Sequence, residues 1–237
     1  MAINVNEVYQ TVLLILNKEQ RGYLTPAEFN KIGTQVQLEI FEKYFDDLNQ
    51  QLRVPENDSE YADRIKTIED NIQIFNINNT LAYQGGVFVN NSGIDIHRLG
   101  SLQYEPGGTT PVEVQQMTQH EYLESQRSTI TQPTDQFPVF VRRGDIFYVY
   151  PLTITGDVGA YYIAKPEPVE WGYQINTAGN GEYLHVPATS TDFTLSPVEQ
   201  TEVILRILTY AGLVIRDPQI VQTAAQMVAA DEANEKG

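Results

Sequence analysis

Apolar residues recur at intervals of three and four near the N-terminus. Val5, Val8, Tyr9, Val12, Leu13, Ile15 and Leu16 share one face of a helix predicted over residues 3–17, and Asn4 and Glu7 stand at capping-box spacing. Asn17 to Tyr23 reads as a polar turn. Thr25-Pro26-Ala27-Glu28 then supplies a cap, a proline at the first helical position and a glutamate three residues after the cap. Phe29, Ile32, Val36, Ile40, Phe41, Tyr44, Phe45, Leu48 and Leu52 continue this second helix, with Gly33 as a local weak point. Unbroken, it would run about 40 Å. Pro55 ends it within Val54 to Ser59. A third helix from Ser59 to Phe75 carries a narrow stripe of Tyr61, Ile65, Ile68, Ile72 and Phe75. Three amphipathic helices joined by short loops predict an antiparallel bundle over residues 1–78.

From Asn79 the pattern changes. Glycine pairs and prolines punctuate short apolar or alternating runs: 86–90, 94–102, 139–142, 145–151, 158–165 and 182–186. These predict strands and hairpins, with Arg142-Arg143-Gly144-Asp145 as one turn and Gly107-Gly108 and Asn180-Gly181 as others. Val112 to Ser128 reads as helix, on Val114, Met117, Tyr122 and Leu123. Helix returns at Ser196-Pro197, with Glu199 closing a capping box and Val203, Ile204, Leu205, Ile207, Leu208 and Ala211 following. Gly212 either ends that helix or makes a close contact inside it. Asp217-Pro218 starts a final helix whose stripe is Ile220, Val221, Ala224, Ala225, Met227 and Val228; beyond it the chain is polar. The expected fold is α+β: an antiparallel bundle of N- and C-terminal helices (1–78 and 195–237) with an inserted β-rich domain (79–194) and a C-terminal docking helix.

Composition narrows the function. The 237 residues carry a net charge of −16, and the acid excess is spread along the chain. Such a surface disfavours wrapping nucleic acid, whose phosphates need Lys and Arg. No run of eighteen apolar residues is long enough to span a membrane, and the first residues lack the pattern of a signal peptide. There is no cysteine, which removes disulfides, thiol catalysis and cysteine metal sites. His97, His120 and His185 are isolated from one another, and no GxSxG, Walker A or GxGxxG pattern occurs. The reading expects no enzyme, no catalytic residue, no metal and no cofactor. Fourteen tyrosines and one tryptophan leave open an aromatic sugar-binding surface of Tyr148, Tyr150, Tyr161, Tyr162 and Trp171. The same five residues are candidates for contacts between subunits.

Two stretches carry a resemblance. Asp145-Ile-Phe-Tyr-Val-Tyr-Pro-Leu-Thr-Ile-Thr-Gly-Asp-Val leads to Tyr161-Tyr162-Ile163-Ala164-Lys165-Pro166-Glu167-Pro168-Val169-Glu170-Trp171-Gly172. Asp192-Phe193-Thr194-Leu195-Ser196-Pro197 leads into residues 202–208 and 211–217. Together they resemble head-to-tail connector, or neck ring, proteins of short-tailed bacteriophages of the crAss-like group. The resemblance implies a homo-oligomeric ring of about twelve copies, closed by heterologous contacts, beneath the portal protein and next to other neck or tail rings. It implies DNA passing through the lumen without specific binding, and a place in the virion neck after assembly in the host cytoplasm. The portal-docking role would fall on Ile220, Val221, Ala224, Met227 and Val228. The alternatives are a neck or tail ring that does not touch the portal, and a carbohydrate-binding tail protein.

Overall fold

The capping signals become hydrogen bonds. The computed structural model describes residues 2–18, 23–53, 59–106, 110–156, 158–177, 181–215, 222–223 and 225–230. Helix α1 (Val5–Lys18) is capped by Asn4, whose Oδ1 accepts from the amides of Asn6 (2.9 Å) and Glu7 (3.1 Å). Helix α2 (Pro26–Arg53) opens on a reciprocal box. The Thr25 amide donates to Glu28 Oε2 (3.0 Å), and the Glu28 amide donates to Thr25 Oγ1 (3.3 Å). Helix α3 spans Ser59–Gln73. The predicted turns at 19–22, 54–58 and 107–108 lie outside the described residues.

The chain then divides into two compact units, one of residues 75–165 and one of residues 1–74 with 166–237. The first is a barrel. Its strands are β1 (Asn76–Gln84), β2 (Val87–Val89), β3 (Ile96–Tyr104), β4 (Val112–Gln116), β5 (Val139–Arg143), β6 (Ile146–Tyr150) and β7 (Val158–Ala164). They close in the order β1-β2-β6-β5-β4-β3-β7, with β7 returning to β1. Every pairing is antiparallel except β4 with β5. Period-two alternation sends Val158, Ala160, Tyr162 and Ala164 of β7 inward, against Leu81, Phe88, Leu102, Val114, Phe140, Phe147 and Val149. Between Leu99 and Ser101 the β3–β7 register shifts, and at Gly100 a Cβ would lie only 3.0 Å from the Tyr161 carbonyl oxygen. Helix α4 (Gln119–Ser125) lies in the long β4–β5 connection, capped reciprocally by Thr118 and Glu121. The helix predicted over Val112 to Ser128 is thus a strand followed by a short helix.

In the other unit α2 packs against α3 and α5 (Gln200–Ile215), and α1 packs against α5. A two-stranded ladder, β8 (Tyr173–Ile175) with β9 (Tyr183–His185), belongs here too. Extended chain completes the core. Val169, Trp171, Phe193 and Leu195 are buried with Val8, Phe29, Val36, Ile40, Val203 and Ile207. Ile3 pairs with Phe193 through two backbone hydrogen bonds of 3.1 Å, and the Val5 amide donates to Asp192 Oδ1 (2.9 Å). Three side chains of α2 bind main chain of the extended segments. Asn30 Oδ1 accepts from the Trp171 amide (2.9 Å), and Thr34 Oγ1 accepts from the Val169 amide (3.1 Å). Gln37 is fully buried; it donates to the Glu167 carbonyl (2.7 Å) and accepts from the Thr194 amide (2.8 Å).

The molecule is therefore an α+β chain with a closed seven-stranded barrel and a few helices. It is not the antiparallel helical bundle with an inserted β-rich domain that periodicity predicts. The strands bury their apolar face by closing on one another, and the helices bury part of theirs against extended chain. Of the residues assigned to the β-rich span, 79–165 fall in the barrel unit and 166–194 fall with the helices. Ser196 makes no side-chain cap; Pro197–Glu199 form a 3-10 turn, and α5 starts at Gln200 and runs through Gly212.

Two substitutions test this core. Gln37→Ala leaves the Glu167 carbonyl and the Thr194 amide without their partner, and is expected to cost about 2–4 kcal/mol. Gly172→Ala places a Cβ 2.1 Å from Thr189 Oγ1 and 2.8 Å from the Val186 carbonyl oxygen. It is expected to cost about 2 kcal/mol or more. Trp171 is the only tryptophan, so its fluorescence in urea reports this unit alone. Unchanged midpoints would show that neither contact supports the core.

Candidate functional site

The helical unit concentrates the charge. Residues 75–165 hold eight acidic and five basic residues, which leaves 23 acidic and 10 basic residues in the other unit. Some of these are paired inside. Glu202 of α5, almost buried, receives Lys43 Nζ of α2 at 3.3 Å and Arg206 at 2.7 Å. Arg206 also approaches Glu39 at 3.9 Å, and the Tyr210 hydroxyl donates to Glu39. Burial works against the Glu202 carboxylate, but Lys43 and Arg206 outweigh it and hold its pKa below the usual range. This network ties α2 to α5. Beside it lies an open groove of about 460 Å³ lined by Glu39, Glu42, Asp46, Asp47, Lys43 and Arg206.

The five aromatic residues singled out from sequence are divided between the two units. Tyr148, Tyr150, Tyr161 and Tyr162 lie on the barrel, whereas Trp171 belongs to the helical unit. Tyr162 points inward, and Asn90 (3.4 Å) and Ser92 (3.3 Å) reach its hydroxyl. Tyr150 stacks on Tyr122 with ring centroids 3.9 Å apart. Arg143 lies over Tyr148 at 4.9 Å, and Tyr161 is exposed. Outward-facing positions on alternating strands thus account for Tyr148, Tyr150 and Tyr161.

A different aromatic group gathers around Trp171. Its ring meets Tyr9 (4.4 Å), His185 (5.3 Å) and Tyr173 (6.1 Å), and its indole Nε1 donates to Asn6 Oδ1 (3.0 Å). Tyr173 meets Tyr183 edge-on at 5.2 Å. Next to this stack is an open cleft of about 570 Å³ whose walls include Tyr9, Gln10, Tyr23, Trp171, Glu182 and Tyr183. The Tyr9 hydroxyl donates to the Leu24 carbonyl (3.3 Å); burial first, then its neighbour Tyr23, push its pKa up. Sequence reasoning missed this group because its members come from α1, the chain before α2, the segment at Trp171 and the β8–β9 ladder. Only the density of tyrosine near residues 171–183 hinted at it.

Of the docking-helix residues, Ile220, Val221 and Ala224 lie outside the described residues. Residues 225–230 are helical, with Met227 exposed and Val228 half-buried. Among the described residues no group of three or more His, Cys, Asp or Glu could hold a metal ion, and no helix is long and apolar enough to cross a membrane. No protein-family model matches the chain, and no curated protein matches it.

The Glu202 network makes a signed pH prediction. A carboxylate held below its ordinary value of 4.5 stabilises the fold fully above that value, and the contribution is lost as pH falls through the lowered one. Glu202→Gln should cost about 2 kcal/mol at neutral pH and flatten the acid limb of the stability profile. An acid limb identical to that of the parent protein, followed by Trp171 fluorescence, would remove Glu202 as its source.

Proposed function

We propose that this chain is a virion structural protein, the subunit of a head-to-tail connector ring that sits below the portal and extends the DNA channel toward the tail. The observation that carries the reading is the helical segment 225–230. It follows α5 in sequence, yet its residues are exposed apart from a half-buried Val228, and Met227 among them is apolar. A helix that leaves its apolar positions uncovered is suited to a partner's groove. The resemblance carried by residues 145–172 and 192–217 names that partner as the portal. The acidic excess of the helical unit fits a channel wall, because like charge lets DNA pass without the affinity that counterion release gives a basic wall. The ring is a homo-oligomer of about twelve copies with heterologous contacts, formed in the host cytoplasm and retained in the virion. It acts by assembly, without catalysis or cofactor.

Removing residues 218–237 should leave the barrel and helical units folded by circular dichroism and abolish co-purification with portal protein. Portal binding at unchanged affinity would overturn the docking role. Mass spectrometry of purified virions should find this chain in equal copy number with the portal. Absence from virions would overturn the structural reading altogether.

A further inference from the structure

The aromatic cleft of the helical unit is not used by an assembly role. Its walls combine flat rings with polar edges: Tyr9, Tyr23, Trp171 and Tyr183 beside Gln10 and Glu182. At about 570 Å³ it has the size of a small-ligand site. Trp171 itself is 4 % exposed, covered by His185, Tyr173 and Tyr9. The available faces are those of Tyr23, which is 55 % exposed, and of half-buried Tyr183, whose edge contact with Tyr173 sets its orientation.

We propose that this cleft binds a neutral saccharide. A pyranose ring has an apolar C–H face and a rim of hydroxyls, and the cleft offers both complements. Tyr23 and Tyr183 present ring faces for the C–H surface. The Gln10 amide offers a donor and an acceptor, and the Glu182 carboxylate offers acceptors. Charge selects within the class. With 23 acidic and 10 basic residues on this unit, phosphorylated, sulfated or sialylated chains are repelled, and so are nucleotides. One wall of the cleft is anchored, since Trp171 is held by Asn6 at its indole nitrogen and by Asn30 at its amide. This inference does not depend on the connector reading: a ring subunit and a free protein would bind the sugar alike.

The one tryptophan lines the cleft, so its emission reports occupancy without a label. The full chain is titrated with hexasaccharides of glucose and of N-acetylglucosamine, and separately with decaproline. Saturable change of Trp171 emission is expected with at least one of the two glycans. Tyr23→Ala and Tyr183→Ala should each weaken it about tenfold, whereas Tyr161→Ala on the barrel should leave it unchanged. Gln10→Ala, which removes a polar contact without removing a ring, should also weaken the response, and circular dichroism confirms folding of each variant. Three results would overturn the proposal: no saturable change with either glycan, a change indifferent to both tyrosine variants, or saturation by decaproline alone, which would assign the cleft to an extended peptide.

Discussion

The helical unit depends on hydrogen bonds between one face of α2 and main chain that arrives more than a hundred residues later. Asn30, Thr34 and Gln37 are spaced four and three apart, so they share a side of the helix. Extended chain at 167–171 and at 194 has peptide groups that need partners once water is excluded. A side-chain amide carries the same donor and acceptor as a peptide, so Asn30 and Gln37 stand in for a neighbouring strand. Gly33 shares that face, and its missing side chain makes room for Phe193, whose ring would lie 3.3 Å from an added Cβ. The glycine that lowers helix propensity is thus the one that lets the extended segment close on α2.

That closure organises the rest of the unit. Holding 167–171 against α2 fixes Trp171, and Trp171 gathers Tyr9, Tyr173 and His185 around it. Holding Phe193 lets Ile3 pair with it and lets Asp192 bind the first amide of α1. The barrel uses different physics. Its strands pair all the way round, so the sheet closes on itself, and its core is made mainly by alternating strand residues, with Ile154 added from the β6–β7 connection.

Charge follows the same division. The buried carboxylate of Glu202 is tolerable because two cations converge on it, and the Arg206 bond is a hydrogen bond as well as an ion pair. The remaining acidic residues of that unit have few cations to pair with, which gives it a net negative field. This field is compatible with a wall along which DNA moves, and it also disfavours anionic ligands of the aromatic cleft.

Local signals determined the local structure. Thr25 with Glu28 and Asn4 with the following amides are caps because their chemistry acts over three residues, and Arg142 to Asp145 is a hairpin turn because Gly144 takes a positive φ. The inward residues of β6 and β7 were legible from alternation. Strand β1 was not, since Asn76, Asn78, Asn79 and Thr80 carry no apolar pattern; pairing with β7 makes it a strand. Barrel closure could not be read because it rests on which strand meets which, a property of no single segment. The part played by Asn30, Thr34 and Gln37 of α2 was not legible either, because the main chain they bind lies more than a hundred residues away. The aromatic cleft shows the same divide: tyrosine and tryptophan types were visible in sequence, but long-range packing decided that Tyr9, Tyr23 and Tyr183 flank Trp171 while Tyr148 and Tyr161 lie in the other unit.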